Sequence, residues 1–446
     1  MGMSQGTRMV NDLFRSNFLK LTIKFYSGKN QLRLARKMHK KVISMILPVG
    51  IELALAVDAV PIFLGRVGDY SSQPFLRAAR LYQNLVGWNL LSSGVRLLRP
   101  ILGDRFFSEA IDQFLNTLYS TYEKYIAVAE KEGTPLDACF GTRLLLGATW
   151  PHLKDINGTI GYGTRCNWFS KVFEEIEEKS PMVLIEIPNT DSKSAEEMMI
   201  DSLNQAIAKL EQITGNTITN EKLRRQTMIA NEIREAYLKI LEIWSKDKIR
   251  LHPLTFTNIL SLLHIGFADF LCEPKFYGQT LRLLTKDLQF LKKEAFDTTS
   301  MPKLILVNAF GGFEPRLPEI MDNLGGRVLI ADWEVLRILN KIELDGSDML
   351  KNYAHYLIGF ESAWMDNTTL VDRYISLAAK YKIDGILFNS IYGCKSITPS
   401  LKLFKERLQE ANLALVDIGF QNVGDNYEQL KTRIGAVLEI IRERKS

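Results

Sequence analysis

Four cysteines stand at positions 139, 166, 272 and 394 of this 446-residue chain. A thiol outside a disulfide either packs as a small apolar group or acts through its thiolate, as nucleophile or metal ligand. Three of the four occupy positions suited to the second use. Cys139 opens the helix-like run CFGTRLLLGA, Cys166 opens CNWFSKVFEEIEE just beyond a strand, and Cys394 lies in NSIYGCKSIT between a strand and a helix. Helix N-termini lower thiol pKa values and suit anionic thiolates. No compact CxxC or CxxCxxC spacing occurs, which removes ferredoxin-type and zinc-ribbon sites. Any shared metal centre has to be assembled from distant segments. On the residues alone, buried packing and chemistry both stay open for these three. Cys272, inside the apolar stretch IGFADFLCEPKFY, reads as packing.

Other polar residues fall in places that call for an account. Glu52 interrupts the apolar run LPVGIELALAVDAVPIFL, where a carboxylate is either paired, for instance with Arg143, or engaged with substrate. Asn389 and Ser390 end a strand just before the Cys394 loop and either cap it or face a ligand, and Lys395 is either solvated or a cation beside a charged centre. The glycines of NAFGGFEP follow a strand but match neither GxGxxG nor GxxxxGKS, so they read as a turn. Five scattered histidines show no HExxH spacing, and no serine sits in a GxSxG elbow.

The elements that must position these residues follow from patterning. The 46% apolar content and ordinary 24% charged fraction describe a folded chain of two or three domains without low-complexity tracts. Fifty-six basic against 51 acidic residues leave +5 with no long basic block, which argues against nucleic acid as a partner. The start MGMSQGT has no signal-peptide pattern, and position 6 is Gly where a myristoylation motif needs Ser or Thr. A cytoplasmic, reducing location is expected, where disulfides are poor candidates. The apolar run Val42 to Leu64 contains Pro48, Glu52, Asp58 and Pro61, so a buried helix, turn and strand are expected there rather than a membrane span.

Periodicity predicts an N-terminal helical cap over 1–47, then a first α/β domain over 48–194 carrying a helical insert at about 70–130. In it the unbroken apolar run Met182–Ile187 predicts a strand covered on both faces. A helical connector is expected over 195–300 and a second α/β domain, with clear strand–helix alternation, over 301–446. The fold class is α/β, with two doubly wound parallel-sheet, flavodoxin-like domains. Such folds bind ligands at the carboxyl edge of the strands, where Cys139, Cys166 and Cys394 map.

Several segments together resemble the 2-hydroxyacyl-CoA dehydratase and benzoyl-CoA reductase family from about Pro48 onward. They are LPVGIELALAVDAVPIFL, LDACFGTRLLLGA, GYGTRCNWFSKVFEEIEEKSPMVLIEIPN, LEQITGNTITNEKLRRQ, YKIDGILFNSIYGCKS and LKTRIGAVLEII, in matching order and spacing. The resemblance implies that Cys139, Cys166 and Cys394 hold a [4Fe–4S] cluster, leaving one iron without a cysteine. It further implies an ATP-dependent iron–sulfur activator protein as electron donor, an acyl-CoA substrate on which a ketyl-type radical forms, and a homologous second subunit or homodimer. In the family pattern Glu52 matches an acidic position, Ser390 lies on the approach to the third cysteine and Lys395 follows it, which makes these three the candidate catalytic residues. Rival readings are an electron-relay or structural partner subunit, and a reductase with a double-cubane cluster, which needs more than four cysteines. The insert departs from the family outline and could reshape the substrate pocket.

Overall fold

The computed structural model describes residues 5–15, 17–46, 48–68, 74–163, 166–188, 193–291, 294–307, 314–331, 340–365, 367–422, 424 and 427–445. The glycine turn expected within NAFGGFEP lies outside them.

Two four-stranded sheets form the framework, and every neighbouring pair of strands in them is parallel. The first consists of β1 (Val42–Met45), β2 (Val60–Phe63), β3 (Gly158–Tyr162) and β4 (Met182–Ile185), in the order β2-β1-β3-β4. A two-stranded antiparallel pair, β5 (Lys248–Ile249) with β6 (Phe296–Asp297), lies within the connector. The second sheet consists of β7 (Lys303–Val307), β8 (Arg327–Ala331), β9 (Gly385–Phe388) and β10 (Ala414–Asp417), in the order β10-β9-β7-β8. Counted from its own first strand, each half has the order 2-1-3-4. The two halves thus repeat one topology without visible sequence repeat. Neither sheet has a fifth strand among the described residues, so the likeness to a flavodoxin-like sheet extends to strand order over four strands.

Burial follows position in the sheet in part, since the edge strand β8 is buried throughout as well. The interior strands β1, β3, β7 and β9 are buried at every residue, as parallel strands covered on both faces must be. Strand β4 departs from expectation: Leu184 is 46% exposed. The apolar run predicted cover on both faces, but β4 is an edge strand, and its outer side is left partly open. A second departure is β1. The run starting at Val42 begins with a strand, so the 1–47 segment is not purely helical and supplies an interior strand of the first sheet.

The helices largely fall where periodicity puts them. The insert is a helical stretch over Pro74–Lys131, broken by non-helical backbone at Gly87 and Gly103. The connector helices are Lys193–Thr214, Asn220–Trp244, Pro253–Asp269 and Pro274–Phe290. The segment Pro253–Cys272 is long and apolar enough to cross a membrane, but 88% of its most apolar 18-residue window is buried inside the protein, as in a core helix. The N-terminal helices are fastened to distant parts. Arg8 pairs with Asp322, Lys24 with Glu273, and the Asn17 amide donates to Asp287 at 2.8 Å.

Candidate functional site around three cysteines

Cys139 is the residue immediately before helix Phe140–Thr149, with no full cap hydrogen bond from its side chain. The backbone N–H groups of Gly141 and Thr142 in the first turn of that helix face the sulfur, and the Thr142 hydroxyl lies 3.3 Å from it. Burial raises the Cys139 thiol pKa; the Thr142 hydroxyl and these N–H groups oppose that rise, and the nearby Cys394 adds to it. Cys166 stands in the same relation to helix Asn167–Glu177, one loop beyond β3, again without capping through its side chain. Cys394 lies beyond the carboxyl end of β9, where its N–H donates to the Ile391 carbonyl at 3.1 Å. All three are half-buried.

Packing draws the three segments together. Gly393 rests directly against the backbone of 137–139: a Cβ added to it would collide with the Asp137 carbonyl oxygen and stand 3.1 Å from the Cys139 nitrogen. The Trp168 indole N–H, two residues beyond Cys166, donates to the Gly393 carbonyl at 2.8 Å. Behind Cys139, Phe140 meets Phe420 edge-on at 5.8 Å, and the Phe420 N–H donates to the Ser390 carbonyl at 3.0 Å. Tyr122 of the insert contacts Phe140 at 6.1 Å, which brings the insert to the back of the Cys139 turn.

The other candidates are distributed as follows. The Ser390 hydroxyl is buried and, among the described residues, has no hydrogen-bond partner. Asn389 is buried, and its backbone N–H donates to Val307 at 3.1 Å. Lys395 is exposed, with its ammonium 5.1 Å from the centre of the buried Trp168 ring.

Glu52 is fully buried, but its partner is not Arg143. It accepts from Arg234 Nη2 at 2.8 Å and from the Tyr353 hydroxyl at 3.0 Å, and that hydroxyl in turn accepts from the Gly50 N–H at 3.0 Å. Arg143 instead bonds Glu130 at 2.9 Å, the Ala138 carbonyl at 3.1 Å and Asn422 at 3.1 Å, bracing the turn before Cys139. Sequence reading could not choose between two arginines 91 positions apart, because chain folding alone decides which one reaches the carboxylate.

Cys272 keeps other company. It packs with Leu32, Ala35, Val42, Ile62 and Val67, its sulfur lies 3.7 Å from Arg66 and 3.9 Å from Asp269, and burial pushes its thiol up to about 12. Sequence reading also passed over Trp168, Gly393 and Thr142. A glycine immediately before a cysteine was the one available signal.

Among the described residues no group of three or more Cys, His, Asp or Glu side chains is placed to hold a single metal ion. A four-iron cluster spreads its ligand sulfurs over several iron corners, so it asks for a wider arrangement than one ion does. The donor set suits such a group: three thiols, two of them immediately before helices, and a buried hydroxyl on the same edge left unpartnered among the described residues.

Two parallel α/β units joined at a thiol-bearing edge define the class of protein. Within that class the chain belongs to the family described as 2-hydroxyglutaryl-CoA dehydratase, D-component, whose model matches residues 49–441. It is accordingly a component of a dehydratase-type enzyme that works with a partner subunit. No curated protein matches the chain.

Proposed function

We propose that the chain is the iron–sulfur subunit of a radical acyl-CoA-processing enzyme, of the 2-hydroxyacyl-CoA dehydratase or benzoyl-CoA reductase type. In this reading it works in the cytoplasm, takes a low-potential electron from an ATP-dependent activator and delivers it to a CoA thioester. The observation that carries the reading is the gathering of the Cys139, Cys166 and Cys394 segments around Gly393 in a chain of this family.

Cys139, Cys166 and Cys394 would hold a [4Fe–4S] cluster, which when bound supplies one-electron chemistry. The N–H groups of Gly141 and Thr142 and the Thr142 hydroxyl stabilise the Cys139 thiolate against its burial. Ser390 carries a buried hydroxyl, unpartnered among the described residues, that would donate to a substrate oxygen. Lys395, held over Trp168, adds a positive charge to the same loop, which favours negative charge developing nearby. Glu52 has both oxygens engaged and joins the helix Ile51–Ala56, between β1 and β2, to the connector and to helix Met349–Met365.

The test is anaerobic purification of the wild type and of Cys139→Ala, Cys166→Ala and Cys394→Ala, with iron and acid-labile sulfide measured in each. Each replacement is expected to strip most of both from the chain, while Cys272→Ala leaves them unchanged. Full iron and sulfide in the three variants would refute the assignment. Adding an acyl-CoA to the loaded wild type separates catalysis from electron relay: a changed EPR signal supports catalysis, and an unchanged one with every acyl-CoA tried supports a relay subunit.

A further inference from the structure

We infer that Trp168 and Gly393 form a strap that sets the spacing of the three thiols, a positioning role that rests on the iron–sulfur reading above. Gly393 is where the three cysteine segments meet. Its α-carbon lies against the backbone of 137–139, its carbonyl accepts the Trp168 N–H, and Cys394 is the next residue. Its φ of +77° is a left-handed conformation that residues other than glycine rarely adopt, and the close approach to Asp137 leaves no room for a side chain.

Trp168 supplies the other end. It sits in the first turn of the helix that Cys166 precedes, and it is only 8% exposed. A buried indole N–H usually finds an acceptor, and a core tryptophan could find one in any nearby carbonyl; the buried Trp150 indole N–H has none among the described residues. Here the acceptor is the one residue that also touches the Cys139 segment and precedes Cys394. General packing does not require that coincidence. Loss of the N–H would free the Cys394 loop from the Cys166 helix; a methyl on Gly393 would lift the same loop off Cys139.

Three measurements on Trp168→Phe, Gly393→Ala and Trp168→His test the strap, the last variant keeping a ring N–H. The apo chains are reacted with dibromobimane, and thiol pairs bridged to Cys394 are counted by peptide mass spectrometry. The same chains are reconstituted anaerobically with ferrous iron and sulfide, and iron affinity is followed by visible absorption. Thermal unfolding of the apo chains reports the fold. The expected result is a several-fold loss of bridging to Cys394 and about 10- to 100-fold weaker iron retention in Trp168→Phe and Gly393→Ala. Cooperative unfolding is retained in both, and Trp168→His recovers part of each loss. Bridging in both variants equal to wild type overturns the strap, and so does loss of cooperative unfolding in both, which would assign the residues to general packing. If the wild type takes up no cluster while bridging still falls in the variants, the iron–sulfur reading fails and the strap stands.

Discussion

Removing the Glu52 carboxylate would leave the Arg234 guanidinium buried beside Tyr353 and Tyr356 with its charge uncompensated. Breaking such a pair from one side costs about 3–5 kcal/mol, whereas removing both charges together costs far less. Glu52→Gln is therefore expected to lower the urea midpoint strongly, and Glu52→Gln with Arg234→Met to recover most of the loss. An active-site role for Glu52 predicts something different: lost turnover in Glu52→Gln at wild-type stability. Arg143 carries the complementary lesson, since its three partners hold the turn before Cys139 rather than neutralise a buried acid.

Among the elements, the connector helix Pro253–Asp269 carries a pH dependence of its own. His264 is buried in it, its Nε2 2.6 Å from the Tyr237 hydroxyl on helix Asn220–Trp244, and burial lowers its pKa to about 3. Nε2 therefore accepts from the tyrosine, and the ring stays neutral. Below a pH of about 6.5 the unfolded chain takes up a proton at this residue and the folded chain does not. Stability is thus whole above that pH and falls between about 6.5 and 3, by about 2 kcal/mol on reaching pH 5 from this group alone. Urea unfolding at pH 7 and pH 5 should show His264→Gln losing less than the wild type by that amount. An equal acid loss in the two chains would mean that His264 does not stay neutral when folded.

At the scale of the whole molecule, the N-terminal cap lies outside the family match, which starts at residue 49, yet it is built into the core. Leu13, Phe18, Leu19, Leu21, Ile23 and Phe25 are all buried. Each such side chain contributes about 1.5–3 kcal/mol through burial, so the six together rival the 5–15 kcal/mol that holds a typical domain folded. Deleting residues 1–41 should therefore give a chain that aggregates, or one without near-UV circular dichroism. A soluble truncated chain that unfolds cooperatively would show the cap to be dispensable.

Much of this protein was legible in the order of its residues. Apolar runs bounded by turns predicted a strand within Val42–Leu64, the strand Met182–Ile187 that contains β4, and the strand–helix alternation of residues 301–446, because buried parallel strands are largely apolar. The family and the three cysteine segments were legible too, as strings of neighbouring residues. What stayed hidden depends on which segments meet. The open side of β4 follows from its place at a sheet edge, β1 blended into the helix and strand beside it, and the partner of Glu52 lies 182 positions along the chain. The strap between Trp168 and Gly393 spans 225 positions. Side-chain types and local periodicity are properties of short windows of sequence, whereas sheet order, ion-pair partners and the spacing of three thiols exist only once distant segments are packed together.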